Sequence, residues 1–290
     1  MCDTCGCNVT AGNRHLVETG GRLARTADGR AAVTVLQGLL TENDHQAAHN
    51  RMHFDARGIL ALNLMSSPGA GKTALLEATI DALDDAGRIV VIEGDLETEN
   101  DAERIRAKGV QAVQIATGSA CHLDAHMVHE ALHRLELDGV EIVFIENVGN
   151  LVCPASFDLG QHANVTLLSV PEGDDKPAKY PVMFRAADLV LLTKTDLLPV
   201  LDDFDPARAE AALRSVGSTA PLLHVASRKN LALQGWLDWL EDSLGAQRAR
   251  LAEGSTRRAP GSVRDDHHHH DHPHGDRHQH AHGHATDEAT

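Results

Sequence analysis

The chain has 290 residues, 42% of them hydrophobic but only 3% aromatic, and a formal net charge of −16. That charge repels phosphate backbones, and so few aromatic rings leave little for bases to stack on, so no nucleic-acid partner is expected. No apolar run approaches the roughly 20 residues that span a bilayer, and no basic-then-apolar leader opens the chain, so no membrane partner is expected and the cytoplasm is the expected location.

The first seven residues, MCDTCGC, bring Cys2, Cys5 and Cys7 together. Five cysteines, an odd number, are poor disulfide candidates in a reducing compartment. Three thiolates within reach of one centre bind borderline-soft cations, and removal of Met1 would add the Cys2 amine as a fourth donor, a set that permits a square-planar Ni(II) site. A Cys-x-x-Cys redox pair is the other reading, but the thioredoxin-type βαβ setting is missing. Residues 8–30 are weakly periodic and read as a linker, so residues 1–30 form a metal motif with its tether.

From Ala31 to about Phe54 the pattern turns helical, with Val35, Leu36, Leu39 and Leu40 on one face. Seven short apolar runs follow: ILALNLMS (59–66), RIVVIEG (88–94), VQAVQIA (110–116), EIVFIEN (141–147), NVTLLSV (164–170), DLVLLTK (188–194) and PLLHVAS (221–227). Most are nearly continuous, the mark of strands covered on both faces. Amphipathic stretches separate them; in TALLEATIDALDDAG, Leu75, Leu76, Ile80 and Leu83 share a face and Gly87 is expected to stop the helix. The expected fold is α/β, a doubly wound, mainly parallel sheet of about seven strands flanked by helices over residues 31–250. Residues 251–290 are polar, rich in His with Pro, Gly and Ser, and cannot bury a core; disorder is expected there.

SSPGAGKT follows the first strand and precedes a helix, the context a P-loop requires. Backbone N–H groups from Gly69, Ala70, Gly71, Lys72, Thr73 and Ala74 would face phosphates at the helix N-terminus. Lys72 would reach the β/γ-phosphates and the Thr73 hydroxyl would hold Mg²⁺. Ser66 stands where the consensus has its first glycine. Two carboxylates, Asp95 and Glu146, end strands on the same sheet edge, placed to approach Mg²⁺ or to orient water. Lys72, Asp95 and Glu146 are therefore the catalytic candidates. ENVG (146–149) looks like the D-x-x-G switch of GTPases with Glu for Asp, which makes Gly149 a γ-phosphate contact. TKTD (193–196) looks like their N-K-x-D motif with Thr193 for Asn. The Asp196 carboxylate can accept from guanine N–H groups that adenine lacks, and the Lys194 stem can cover the base. GTP is thus the expected nucleotide.

A second metal set is suggested by Cys121 and His122, adjacent in sequence, and by Cys153, four residues past Gly149. Three ligands fall short of a closed tetrahedral site, so water or a second subunit would complete it. The tail holds ten of the chain's 20 histidines: His267, His268, His269, His270, His272, His274, His278, His280, His282 and His284. An expression tag would be an unbroken hexahistidine, whereas this run is interleaved with Asp, Pro, Gly and Gln. Neutral imidazoles there would coordinate metal.

The segments LMSSPGAGKTALLE, GDLETENDAERI, ATGSACHLDAHMV, FIENVGNLVCPASFDLG and SVPEGDDKPAKYPVMFRAADLVLLTKTDLLP together resemble the HypB family of hydrogenase maturation GTPases, over about residues 31 to 245. CDTCGC is similar to that family's high-affinity nickel motif. The resemblance implies a SIMIBI-class P-loop G domain that dimerises with GTP and works with the nickel chaperone HypA to insert Ni²⁺ into the [NiFe]-hydrogenase large-subunit precursor. It implies that Cys121, His122 and Cys153 hold nickel or zinc near the dimer interface, and that Asp95 is the switch aspartate. The His-rich tract departs from the family pattern, where it lies between the Cys motif and the G domain. Two alternatives are a nickel storage protein whose GTPase controls assembly and a urease-type nickel-insertion GTPase.

Overall fold

The computed structural model describes residues 32–83, 86–95, 100–118, 120–227 and 232–255, with the side chains of 32–39 and of Ala86 not described. The Cys2, Cys5 and Cys7 motif and the ten tail histidines therefore lie outside the described residues.

All seven apolar runs are strands: β1 Leu60–Ser66, β2 Ile89–Asp95, β3 Gln111–Ala116, β4 Ile142–Glu146, β5 Ala163–Ser169, β6 Leu189–Thr193 and β7 Leu222–His224. They form one parallel sheet in the order β3-β2-β4-β1-β5-β6-β7. The helices are α1 Ala32–Asp55, α2 Lys72–Ala82, α3 Asn100–Arg106, α4 Ala125–Leu132, α5 Lys176–Lys179, α6 Pro181–Ala186, α7 Pro206–Ser215 and α8 Gln234–Ala252. Among the described residues no helix is long and apolar enough to cross a membrane.

The period of two along each strand sorts its residues between two layers. Leu60, Leu62 and Leu64 of β1, Ile89 and Val91 of β2 and Ile142 and Phe144 of β4 pack with Leu75 and Leu76 of α2 and Trp236 of α8. The alternate residues, Ala61, Val90, Ile92, Val143 and Ile145, pack on the other face with Phe54 of α1 and Val128 of α4. Because both faces are covered, the strands are apolar throughout, which is why they read as unbroken runs. Trp236 is fully buried, and its indole N–H donates to Thr79 Oγ1 at 2.8 Å, so the polar end of a large apolar ring is satisfied. The first helix after β1 stops earlier than Gly87: α2 ends at Ala82, Leu83 turns extended, and Gly87 sits in a separate short turn, Ala86–Arg88. Leu83 still packs against the core from that extended position, so the apolar periodicity outlasts the helix by one residue.

Candidate functional site: a phosphate loop and a thiol–imidazole cluster

β1 runs directly into the loop 67–71, and α2 begins at Lys72 with Gly71 as its N-cap. Gly69 and Gly71 have φ of +74° and +103°, a backbone region that side chains disfavour, so glycine is required at both. The amides of the first turn of α2 have no intrahelical partner and face the sheet edge where β-strands end. Ser66, in the place of a consensus glycine, is fully buried and bridges the lysine to the loop backbone. Its Oγ accepts from Lys72 Nζ at 3.1 Å and donates to the Ser67 carbonyl at 2.6 Å. Lys72 Nζ also lies 3.8 Å from Glu146 Oε1, which accepts from Thr73 Oγ1 at 3.1 Å. The TKTD segment holds the loop from the far side. Thr193 Oγ1 donates to the Ala70 carbonyl and Lys194 Nζ to the Gly69 carbonyl, both at 2.7 Å. Lys194 itself is left-handed, with φ of +58°. Asp196 follows in the turn Thr195–Val200 and is half-buried.

The sheet order adds a residue that sequence reasoning missed. β2 and β4 are neighbours, and their register sets Glu93 opposite Glu146. Both carboxyls are buried. Burial, then the charge of Glu146 and a hydrogen bond to it, push Glu93 up to about 10. Burial also raises Glu146, opposed by Lys72. Two carboxyls this close in a dry site cannot both ionise, so Glu93 keeps its proton and Glu146 is the acceptor. Among the described residues, neither Glu93 Oε1 nor Glu146 Oε2 has a hydrogen-bond donor. An array of oxygen donors at the phosphate loop, Thr73 and Glu146 with Asp95 two residues beyond Glu93 on β2, suits a hard divalent cation such as Mg²⁺. A charged residue inside an apolar strand, at the end where ligands bind, was the available signal for Glu93.

The ENVG segment touches the phosphate loop and leads directly on to Cys153. A Cβ on Gly149 would meet Pro68 Cα at 2.9 Å, so only hydrogen fits between these two backbones. Beyond it, Cys153 opens the short helical turn Cys153–Ser156 and is 3% exposed. Cys121 and His122 come from the loop after β3, which Thr117 anchors by donating its N–H to the Asp95 carbonyl at 2.9 Å. The two loops converge. Cys121 Sγ lies 3.0 Å from Cys153 Sγ and 3.8 Å from His122 Nδ1, and one ligand atom from each of the three lies within 4.8 Å of the others. The His122 ring stacks on Phe157 at 3.9 Å, which fixes its plane. Burial holds its pKa below the usual range, so the ring is neutral and keeps a lone pair for metal.

Two asparagines that the sequence did not single out join the loops. Asn147 Oδ1 accepts from the Leu123 N–H at 3.1 Å, and Asn150 Nδ2 donates to the Cys121 carbonyl at 3.2 Å. Leu123 in turn packs so closely on Gly94, next to Asp95, that a Cβ there would lie 2.8 Å from its side chain. Of the predicted G-domain residues, Gly69 to Ala74, Glu146, Gly149 and Lys194 meet around the phosphate loop, Asp95 ends β2, Asp196 lies in the turn after Lys194, and Cys121, His122 and Cys153 gather beyond the ENVG loop.

Fold and site define the class: a P-loop nucleotide-binding protein with a Cys–His–Cys cluster, of the kind that can hold a metal ion, beside its ENVG loop. The family model described as CobW/HypB/UreG, nucleotide-binding domain, matches residues 60–223. The hydrogenase maturation factor HypB of Azotobacter chroococcum is 54% identical over 221 residues, covering 76% of this chain and 72% of that protein. The crystal structure of HypB from Helicobacter pylori in complex with nickel superposes with a TM-score of 0.67 at 39% identity, covering 76% of this chain and 99% of the other. HypB from Archaeoglobus fulgidus gives a TM-score of 0.65 at 36% identity, covering 71% and 100%. The chain belongs to the HypB family of hydrogenase maturation factors.

Proposed function

We propose that this chain is a GTP-hydrolysing nickel metallochaperone that delivers Ni²⁺ to the [NiFe]-hydrogenase large-subunit precursor. It works in the cytoplasm as a GTP-dependent homodimer with a HypA-type nickel chaperone. The observation that carries the reading is the pair of bonds from Asn147 and Asn150, which tie the switch after Glu146 to the loop bearing Cys121 and His122. Family membership supports hydrogenase maturation, and the relative crystallised with nickel supports that ion as cargo.

In this reading Lys72 leaves Ser66 for the β/γ-phosphates, and the amides of 69–74 cradle them. Thr73 and Asp95 would hold Mg²⁺, whose chemistry is to neutralise charge on the phosphates. Phosphoryl transfer then needs mainly positioning. Glu146, freed of Lys72, is placed to orient water, and Gly149 N–H meets the γ-phosphate. Asp196 reads guanine. Cys121, His122 and Cys153 hold nickel, or zinc, with the remaining position filled by water or by the second subunit.

GTP hydrolysis by the purified protein, and its loss in Lys72→Ala, tests the enzyme. Nickel bound without any hydrolysis would favour the storage reading. Equal affinity for GTP and ATP would remove the role of Asp196. Deletion of the gene separates the remaining pair: loss of hydrogenase activity with rescue by excess nickel fits this proposal, and loss of urease activity instead fits the urease-type alternative.

A further inference from the structure

Four histidines meet where α1 packs on α4. His49 and His53 stand one turn apart on α1, and His129 on α4 stands one turn before His133, the residue that caps that helix. Side chains four apart share a helix face, so each pair projects together towards the other. Ring centroids are 4.6 Å apart within each pair, 5.1 Å for His49–His129 and 5.8 Å for His53–His129.

His129 Nε2 lies 3.1 Å from His133 Nε2, while His129 Nδ1 is buried with no hydrogen-bond partner among the described residues. Two nitrogens bound to one ion at about 2.0–2.1 Å stand roughly 3 Å apart, so the spacing that here serves a hydrogen bond between the rings also fits a chelating pair. A cleft of about 260 Å³ beside the rings is lined by His53, His129, His133 and the acidic residues Glu136 and Asp138. Arg57 lines it too, but its guanidinium donates to the His53 carbonyl at 3.3 Å.

We propose that His49, His53, His129 and His133 form an all-imidazole site for a divalent transition-metal ion, Zn²⁺ or Ni²⁺, separate from the Cys121 centre. His129 and His133 chelate the ion, and small rotations of the His53 and His49 rings complete the set. Imidazole is a borderline donor suited to both metals. The ion would clamp α1 to α4. Because α4 begins three residues after His122 and spans eight residues, about 12 Å, the site gives cargo a resting place one short helix from the thiols.

The test is protection from diethylpyrocarbonate, read at each histidine by mass spectrometry on the full chain, with Zn²⁺ in excess of all cysteines and tail histidines. Zinc should suppress modification of His53, His129 and His133 together, reversibly with chelator, in the natural chain and equally in Cys121→Ser/Cys153→Ser. In His133→Ala, zinc should no longer protect His129. His49→Gln/His53→Gln leaves α4 untouched and should lose the protection as well, with an unchanged melting temperature in chelator. Equal modification with and without zinc overturns the site; so does protection of His129 that survives in both variants.

Discussion

Asn150 holds Cys121 in place from the other loop: its Nδ2 donates to the Cys121 carbonyl at 3.2 Å while its Oδ1 accepts from Val152 N–H at 2.8 Å, one residue before Cys153. One side chain thereby spaces the two thiol-bearing segments. If a γ-phosphate reorders Gly149, Asn150 transmits that movement to Cys121 and Cys153, the proposed metal ligands. The expected result is a metal affinity that differs between GDP and a non-hydrolysable GTP analogue by about 5–150-fold, the usual scale of such coupling. Asn150→Ala should keep metal binding but bring the two affinities together. Competition with a chelator under each nucleotide measures this, and an unchanged difference in the variant would remove Asn150 from the path.

Gly149 and Pro68 approach too closely for a methyl group. Gly149→Ala must therefore push the switch off the phosphate loop. Overpacking of this kind costs about 1–3 kcal/mol. We expect a lower melting temperature together with weaker GDP binding, whereas an Ala substitution at a merely flexible glycine would lower neither by that much. Calorimetric titration with GDP alongside a thermal scan decides the point.

Glu93, pushed up to about 10, predicts an unusual dependence on pH. Above about 4.5 the unfolded chain has released this proton while the folded chain keeps it, so this group makes stability fall as pH rises towards 10. Glu93→Gln keeps a neutral donor of the same shape beside Glu146 and removes the penalty. The variant should be the more stable protein at pH 7 by at least about 1 kcal/mol, with a gap that widens towards pH 9. Urea unfolding at both pH values, without added divalent ions, tests it; a gap that stays constant would mean that Glu93 is ionised in the folded chain.

His162 predicts sensitivity in the acid direction. Its Nδ1 accepts from Ala61 N–H at 2.9 Å, which leaves the proton on Nε2, 3.0 Å from Asp55 Oδ1. Burial holds His162 below the usual range. Burial pulls Asp55 up, but its bonds to His162 and Gln247 outweigh it and leave Asp55 low. As pH falls through about 6.5 the unfolded histidine takes up a proton that the folded one refuses, so stability falls. His53, His122 and His129, also lowered by burial, share this slope. His162→Gln should flatten it by one histidine's share between pH 7.5 and 5.5, and cost about 1–3 kcal/mol at pH 7.5 through the unsatisfied partners. An unaltered slope would place the titration elsewhere.

Local chemistry alone determined much of this protein. A buried parallel strand must be apolar on both faces, so seven runs announced seven strands. A phosphate loop needs positive φ, so Gly69 and Gly71 announced the turn, and Lys72 and Thr73 follow at fixed spacing. The donor types at Cys121, His122 and Cys153 were likewise legible, although nothing in their separation says that the sulfurs of Cys121 and Cys153 come within 3.0 Å. That required β3 and β4 to end at the same edge with β2 between them. The same strand order made a pair of Glu93 and Glu146, which in sequence are two unrelated carboxylates. It let Asn147 and Asn150, small polar residues that suit any turn, become the ties between switch and thiols. The packing of α1 on α4 did as much for His49, His53, His129 and His133, each half of which is only an i,i+4 repeat. The residues of one turn or one strand interact through bonds that the sequence spaces, whereas these sets meet across elements whose order in the sheet is settled by the burial of the whole core.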